Sequence, residues 1–282
     1  MLRRRMIVFA VALLWCATAY AQQQPQPQTL TFYYGYAVKP GKEEDFANLV
    51  KTVGAPVRDK LMADGVINAW GIETPLLRHP DGHTHYIWFN VNDWTGVEKV
   101  MAGMTAHIAK LDAEAAAPAK GQKPGMTVMQ RALDIYDTSK TRDWLIRDLV
   151  AGFSPAPPAA GVLPYTRYNF TKVKPGKGGD YREAWEKYNK PVFDKLIADG
   201  TVLAYGLAVE EVKTDGDWTH FTWIAVSDMG GFDKVRAAFI ADRSRRSPEE
   251  REAIGDTFTS STVPDAARSL VTRSTIFKVR MP

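Results

Sequence analysis

The chain has 282 residues, of which 45% are hydrophobic and 24% are charged, and its formal net charge at pH 7 is +4. This length and composition suffice for one large or two small units that each bury a core. Arg3, Arg4 and Arg5 carry three of these positive charges, and a chain cleaved after residue 21 would have a net charge of about +1. Such a small charge gives no electrostatic basis for a nucleic-acid or anionic-membrane partner.

The first 21 residues have the three parts of a cleavable secretory signal. The arginines precede an apolar run from Met6 to Trp15, which is too short to span a bilayer, and Ala19-Tyr20-Ala21 follows. Residues 22–28 are rich in Gln and Pro and predict a disordered tether. We therefore expect a periplasmic or secreted protein with no membrane contact after cleavage. Cys16 is the sole cysteine, so the mature chain holds no disulfide.

One stretch of the sequence occurs twice, about 135 positions apart, and such self-similarity indicates a repeat architecture. The repeated segments are Val38-Lys39-Pro40-Gly41-Lys42 with Val173-Lys174-Pro175-Gly176-Lys177, Asp59-Lys60-Leu61 with Asp194-Lys195-Leu196, Thr84-His85 with Thr219-His220, and Trp88 with Trp223. We predict two repeats, at 29–153 and 163–282, joined by a linker rich in Pro and Ala at 154–162.

Hydrophobic spacing predicts the elements of the first repeat in chain order. They are a strand over 32–38, a helix over 43–65, strands over 66–73 and 83–91, a helix over 97–111, a short helix near 126–136 and a last strand over 149–153. Pro56 interrupts the first helix and Gly65 ends it, as Pro191 and Gly200 do in the second repeat. Ser247-Pro248-Glu249-Glu250 has the pattern of a capped helix start.

Each repeat therefore has the order strand, helix, strand, strand, helix, strand. This ferredoxin-like βαββαβ order folds as a four-stranded antiparallel sheet with two helices on one face. The other face needs a cover, and the second repeat can supply it. We predict an α+β protein in which the two sheets face each other as an intramolecular pseudo-dimeric α+β barrel.

Three repeated features resemble the dimeric α+β barrel superfamily, which includes antibiotic-biosynthesis-type monooxygenases and EthD-like proteins. They are the strand ending in Val-Lys-Pro-Gly-Lys, the kinked helix ending in Ala-Asp-Gly, and the strand with Ala-Trp-Gly or Ala-Tyr-Gly. The resemblance covers both repeats. It implies a pocket between a sheet and its helices or inside the barrel, and it leaves the activity open because this fold carries many chemistries.

The sequence predicts no cofactor and no metal. The haem peroxidases of this superfamily carry a Gly-x-x-Asp-Gly element, and the similar segment here begins with Leu61 in place of the first Gly, which disfavours haem. His79, His83 and His85 flank a Pro-Asp-Gly turn, and two histidines two apart on a strand face one way. The second repeat keeps only His220 of these three, so we interpret the cluster as a solvated turn rather than a metal site.

His85 and His220 are the candidate catalytic residues, because a buried neutral histidine can transfer a proton. A histidine that bonds only to backbone or water is the simpler alternative. Trp88 and Trp223 lie three positions further on and are expected on the opposite face of each strand.

Matched aromatic residues could line a pocket for a flat apolar ligand, although aromatic side chains on strands are also common in cores. The candidate ligand-binding residues are Tyr34, Tyr36, Trp70, Trp88, Tyr205 and Trp223. The Tyr-rich first strand has Asn169 and Thr171 in its second copy. This asymmetry indicates either that one half alone keeps a pocket or that packing relaxed after duplication.

Three functions follow. The first is an exported protein that binds a small apolar or aromatic molecule without catalysis. The second is a cofactor-independent monooxygenase or isomerase that uses His85 or His220. The third is a non-catalytic structural or oligomerising module, and a homo-oligomer is left open in every case.

Overall fold

The computed structural model describes residues 28–78, 82–117, 123–155, 161–214, 217–264 and 266–280. The expected signal at 1–21, nearly all of the tether at 22–28 and the middle of the linker at 154–162 lie outside these residues, as does His79. Among the helices of the described ranges, none is long and apolar enough to cross a membrane.

Both repeats have the predicted order of elements. The first comprises β1 (Leu30–Tyr36), α1 (Glu43–Leu49), a π-helical turn (Val50–Gly54), α2 (Ala55–Ala63), β2 (Ile67–Pro75), β3 (His85–Val91), α3 (Trp94–Ala116), α4 (Val128–Ile135), a 3₁₀ turn (Thr138–Lys140) and β4 (Arg142–Phe153). The second comprises β5 (Tyr165–Thr171), α5 (Gly178–Tyr188), α6 (Lys190–Ala198), β6 (Ala204–Glu210), β7 (His220–Val226), α7 (Gly230–Ser244), α8 (Pro248–Ser261) and β8 (Arg268–Val279).

The local stop and start signals act as expected. Gly65 and Gly200 follow α2 and α6 with φ of 78° and 77°, a left-handed conformation that glycine adopts without steric cost. Pro56 and Pro191 each lie in the first turn of a helix that restarts, α2 and α6 respectively. Ser247 caps α8 and exchanges hydrogen bonds with Glu250, which completes a capping box.

The eight strands form one closed barrel in the order β1-β3-β2-β8-β5-β7-β6-β4. Each repeat contributes four adjacent strands, and the antiparallel pairs β2–β8 and β4–β6 join the repeats. The predicted pseudo-dimeric α+β barrel is confirmed. The repeats meet edge to edge as well as face to face, because closure satisfies the backbone groups that two separate sheets would leave unpaired.

The repeated motifs are explained by packing on both sides of the barrel wall. Trp70 of Ala-Trp-Gly is fully buried against the helices, and its indole N–H donates to Asp59 of Asp-Lys-Leu at 3.0 Å. The Tyr205 hydroxyl donates to Asp194 in the same way in the second repeat. The glycines that follow, Gly71 and Gly206, lie under interior tryptophans, where a Cβ would overlap the ring.

Candidate ligand site

A pocket of about 490 Å³ lies in the second repeat, between the outer face of the sheet and helices α5 to α8. Its lining residues are Arg167, Asn169, Thr171, Tyr181, Trp185, Asn189, Phe193, Thr222, Ile224, Phe232, Val235, Arg236, Phe239 and Phe258. Most of these side chains are apolar or aromatic, and three of the six polar ones come from β5. This size and composition are typical of a small-molecule site.

In the first repeat, aromatic rings occupy the equivalent space between the sheet and the helices. At the offset of about 135 positions, three aromatic side chains of β1 correspond to three polar side chains of β5: Phe32, Tyr34 and Tyr36 to Arg167, Asn169 and Thr171. The Phe32 ring stacks on Phe89 with 5.6 Å between centroids, and the Tyr36 ring lies 5.3 Å from Phe46. The exchange of aromatic for polar side chains leaves the second pocket open.

The polar residues of the pocket hold one another in place. The Nε of Arg167 donates to Oδ1 of Asn169 at 3.0 Å, and the same oxygen accepts from the Ser269 hydroxyl at 2.9 Å. Arg236 supplies a second guanidinium on α7. Both arginines are exposed, and the lining residues include no carboxylate. The rim of the pocket therefore carries positive charge.

Aromatic rings form the inner wall. Phe193 lies 5.0 Å from Phe239 in an edge contact, and Trp185 stacks on Phe193 with 5.7 Å between centroids. Trp185 is 1% exposed, and its indole N–H has no hydrogen-bond partner among the described residues. Phe193 is 4% exposed, so both rings are almost fully covered by their neighbours.

His220 and His85 lie on the helix side of the barrel in matching environments. His220 packs on Tyr181 with 5.6 Å between ring centroids, and its Nδ1 is 2.9 Å from the Thr219 hydroxyl. Burial lowers the pKa of His220 to about 4, and Lys213 acts in the same direction. Burial also lowers the pKa of His85, opposed by Glu43.

The repeated Thr-His pair has a structural role. Each threonine hydroxyl accepts from the backbone N–H of the Val-Lys-Pro-Gly segment, Thr84 from Val38 at 3.0 Å and Thr219 from Val173 at 2.9 Å. His220 is not among the lining residues of the pocket, although its neighbour Tyr181 is. A catalytic role for His85 or His220 stays a prediction.

The six aromatic candidates lie in three places. Trp88 and Trp223 face the barrel interior, opposite the histidines, as the strand spacing predicted. Trp70 and Tyr205 are buried under the helices, and Tyr34 and Tyr36 fill the first repeat. None of the six is among the residues that line the second-repeat pocket. Their role in ligand binding stays a prediction.

Two buried carboxylates in the barrel interior were not identified from the sequence. Glu73 accepts from the Tyr168 hydroxyl at 2.9 Å, the Thr272 hydroxyl at 2.6 Å and the Trp88 indole at 3.1 Å, and burial raises its pKa. Asp148 accepts from the Trp223 indole at 3.3 Å, and burial raises its pKa to about 6. The matched Trp88 and Trp223 were the sequence feature that could have indicated these acids, because a buried indole N–H needs an acceptor.

A cavity of about 50 Å³ lies in the barrel interior beside Glu73. His83 points toward this side and lies 5.5 Å from the Trp144 ring, whereas His85 contacts Phe46 on the helix side. The expectation that His83 and His85 face one way is therefore wrong, because β3 begins only at His85. In the described part of the chain, no group of three or more His, Cys, Asp and Glu side chains could hold a metal ion.

Comparison with known proteins gives structural matches only. No family model matches the sequence, and no curated protein does. A candidate monooxygenase from Fusobacterium nucleatum is 13% identical, with 90% of this chain and 96% of that chain covered and a TM-score of 0.58. A candidate monooxygenase from Lactobacillus acidophilus is 8% identical, with 90% and 97% covered and a TM-score of 0.54. At these identities the likeness shows the fold, which is that of the dimeric α+β barrel proteins.

The expectation that the sequence disfavours haem is contradicted. The matches include chlorite dismutases and a haem-binding protein from Thermus thermophilus, which is 11% identical, with 89% and 94% covered and a TM-score of 0.47.

The pocket itself offers limited means to hold haem iron, which proteins ligate with His, Cys, Met or Tyr. Tyr181 is the residue of these types among the lining side chains, and burial raises its pKa, which opposes the phenolate.

Proposed function

We propose that the protein binds a small, flat and largely apolar ligand in the pocket of the second repeat. The observation that carries this proposal is the difference between the halves. The same fold and the same offset leave about 490 Å³ open in one repeat and fill the equivalent space with Phe32, Tyr34 and Tyr36 in the other. An open pocket in a core costs packing contacts, so its retention in one half supports a role in binding.

The chemistry of the lining narrows the ligand. Aromatic walls favour a planar ring system, which can pack against Phe232, Phe239 and Phe258, the partly buried phenylalanines of the lining. The exposed Arg167 and Arg236 at the rim, without a carboxylate in the lining, favour a neutral or anionic ligand over a cationic one.

Export of this protein to the periplasm is part of the proposal. Its support is the Arg-rich start, the short apolar run and Ala19-Tyr20-Ala21. The small molecule is the partner that we propose. Self-association is left to measurement.

The experiment fills the pocket with the side chains of the first repeat. Asn169→Tyr combined with Thr171→Tyr reproduces Tyr34 and Tyr36, and 2-acetylnaphthalene serves as the probe in calorimetric titration of the mature protein. We expect the wild-type protein to bind the probe and the filled variant to bind it at least about tenfold more weakly. A matched control, Glu183→Tyr with Lys195→Tyr, places the same rings at exposed sites of α5 and α6 outside the lining and should bind as the wild type does.

Unchanged affinity in the filled variant, with its fold intact by circular dichroism, would contradict the proposed site. The alternative of a monooxygenase or isomerase that acts through His85 or His220 predicts turnover that is lost in His220→Ala or His85→Ala. A purely structural module predicts no binding of the probe at all.

A further inference from the structure

Two arginines, Arg167 on β5 and Arg236 on α7, line the pocket of the second repeat, and both are exposed. In the part of the chain that the structure describes, neither forms an ion pair with a carboxylate. By contrast, Arg246 just beyond the end of α7 pairs with Asp242 at 2.7 Å. The pocket therefore presents two guanidinium groups that solvent reaches and that an anion can pair with.

Both arginines occur only in the half with the open pocket. Their counterparts in the first repeat are Phe32 and Met101. There, the Tyr34 hydroxyl contacts the Met101 sulfur at 3.5 Å and so connects β1 with α3 across the space between sheet and helix. In the second repeat the same two positions are Asn169 and Arg236, which both line the pocket. The positive charge therefore lies where the space between strand and helix is open.

Hydrogen bonds hold Arg167 in place. Its Nε donates to Oδ1 of Asn169 at 3.0 Å, and the same oxygen accepts from the Ser269 hydroxyl at 2.9 Å. This arrangement uses the Nε–H and leaves the terminal N–H groups of the guanidinium for another partner. The planar guanidinium matches the two oxygens of a carboxylate, which can accept two parallel hydrogen bonds from it.

We infer, on the basis of the proposed function, that the ligand is an aromatic carboxylate whose anionic group pairs with Arg167 and Arg236 at the rim. Because both arginines are exposed, the carboxylate stays partly hydrated, and the ion pairs form without the full cost of burying a charge. The ring system packs against Phe232, Phe239 and Phe258. The two arginines thus determine specificity for acids over neutral compounds of the same shape.

The test compares two probes of nearly equal shape, 2-naphthoate and the neutral 2-acetylnaphthalene, by calorimetric titration at neutral pH and low salt. We expect the wild-type protein to prefer the carboxylate by about tenfold, a difference of about 1.4 kcal/mol. Arg167→Gln combined with Arg236→Gln should abolish this preference and bind 2-acetylnaphthalene within about twofold of the wild type. Lys234→Gln, which removes a positive charge from an exposed position of α7 outside the lining, should keep the preference.

A second measurement requires no variant. Salt screens exposed ion pairs, so a rise in NaCl from about 0.02 M to about 0.5 M should weaken the binding of 2-naphthoate by about fivefold and change that of 2-acetylnaphthalene by less than about twofold. Equal affinity of the wild type for the two probes, or a preference that survives the loss of both arginines, would overturn the inference and leave the proposed function standing. Failure of both probes to bind would overturn both.

Discussion

Asp148 on β4 lies directly opposite Ala208 on β6, in one of the two strand pairs that join the repeats. Ala208 corresponds in the repeat to Glu73, and Glu73 on β2 lies opposite Ser274 on β8. Ser274 corresponds to Asp148, because Arg142 and Arg147 of β4 match Arg268 and Arg273 of β8. Each of these two residue pairs therefore holds one buried carboxylate. In the β2–β8 pair the acid is on β2, whereas in the β4–β6 pair it is on β4, the strand that corresponds to β8.

Although the acid is on a different strand in the two strand pairs, both acids accept the same kind of hydrogen bond. The indole N–H of Trp88 donates to Glu73, and that of the matched Trp223 donates to Asp148. A buried indole donor needs an acceptor, and either strand of the crossing pair can supply it. The two acids thus have the same role, which is to accept the hydrogen bond of a buried indole in the barrel interior.

The first prediction is that the acid that accepts from Trp223 can be moved from β4 to β6, the strand that corresponds to β2. Asp148→Ser and Ala208→Glu should each destabilise the protein, the former by leaving the Trp223 indole unpaired and the latter by adding a second buried carboxylate. The double variant should recover part of the loss, with a coupling free energy of about 1–3 kcal/mol in urea unfolding. Additive effects of the two substitutions would contradict the equivalence.

The second prediction concerns the pH dependence of stability. Burial raises the pKa of Asp148 from 3.8 to about 6, so the folded protein keeps a proton that the unfolded chain has released. The free energy of unfolding therefore falls as the pH rises through this window, by about 3 kcal/mol in total from this group. Asp148→Asn lacks this contribution, so the unfolding free energy of the wild type, measured relative to that of the variant, should fall as the pH rises from 4 to 6. A constant difference would be inconsistent with a buried, titrating Asp148.

The third prediction has the opposite sign. Burial lowers the pKa of His220 from 6.5 to about 4, with Lys213 acting in the same direction, so the native ring is neutral where the unfolded chain is protonated. The stability that this neutral histidine contributes is present above pH 6.5 and is lost as the pH falls toward 4. NMR titration of the His220 ring should show a midpoint well below 6.5, and a normal midpoint would refute its burial.

The fourth prediction concerns the π-helical turn before α2. A Cβ on Gly54 would overlap Nη1 of Arg58, whose side chain is 3% exposed and lies over the Trp70 ring at 5.8 Å. Gly54→Ala should therefore destabilise the protein by roughly 1–3 kcal/mol, although the same change usually stabilises a helix. Gly255→Ala in α8, where nothing lies near, should stabilise by up to about 1 kcal/mol in the same thermal-unfolding assay. Stabilisation at both glycines would show that Arg58 moves freely.

Much of the fold could be predicted because the same strand, helix and turn patterns occur in both repeats. The strand and helix order, the helix ends at Gly65 and Gly200 and the cap at Ser247 depend on local chemistry that a single sequence displays. The pairing of β2 with β8 and of β4 with β6 could not be read in this way. It depends on contacts between residues about 200 and about 60 positions apart, which leave no local pattern.

The candidate site was predicted only in outline. Asn169 and Thr171 differed visibly from Tyr34 and Tyr36, but the sequence did not show whether other side chains refilled the space. Glu73 and Asp148 lie singly within strands, where an acid usually faces solvent. Only the arrangement of the barrel wall places both acids beside the interior tryptophans.

The most direct test of the central claim, that one half of the barrel is open to a ligand and the other is filled, is the position of a bound aromatic probe. Val235 lines the second-repeat pocket, and its counterpart Val100 is fully buried in the first repeat. Nuclear Overhauser contacts from the ring of 2-acetylnaphthalene should reach the methyl groups of Val235 and not those of Val100. Contacts to Val100, or to Ile146 beside the interior cavity, would contradict the account.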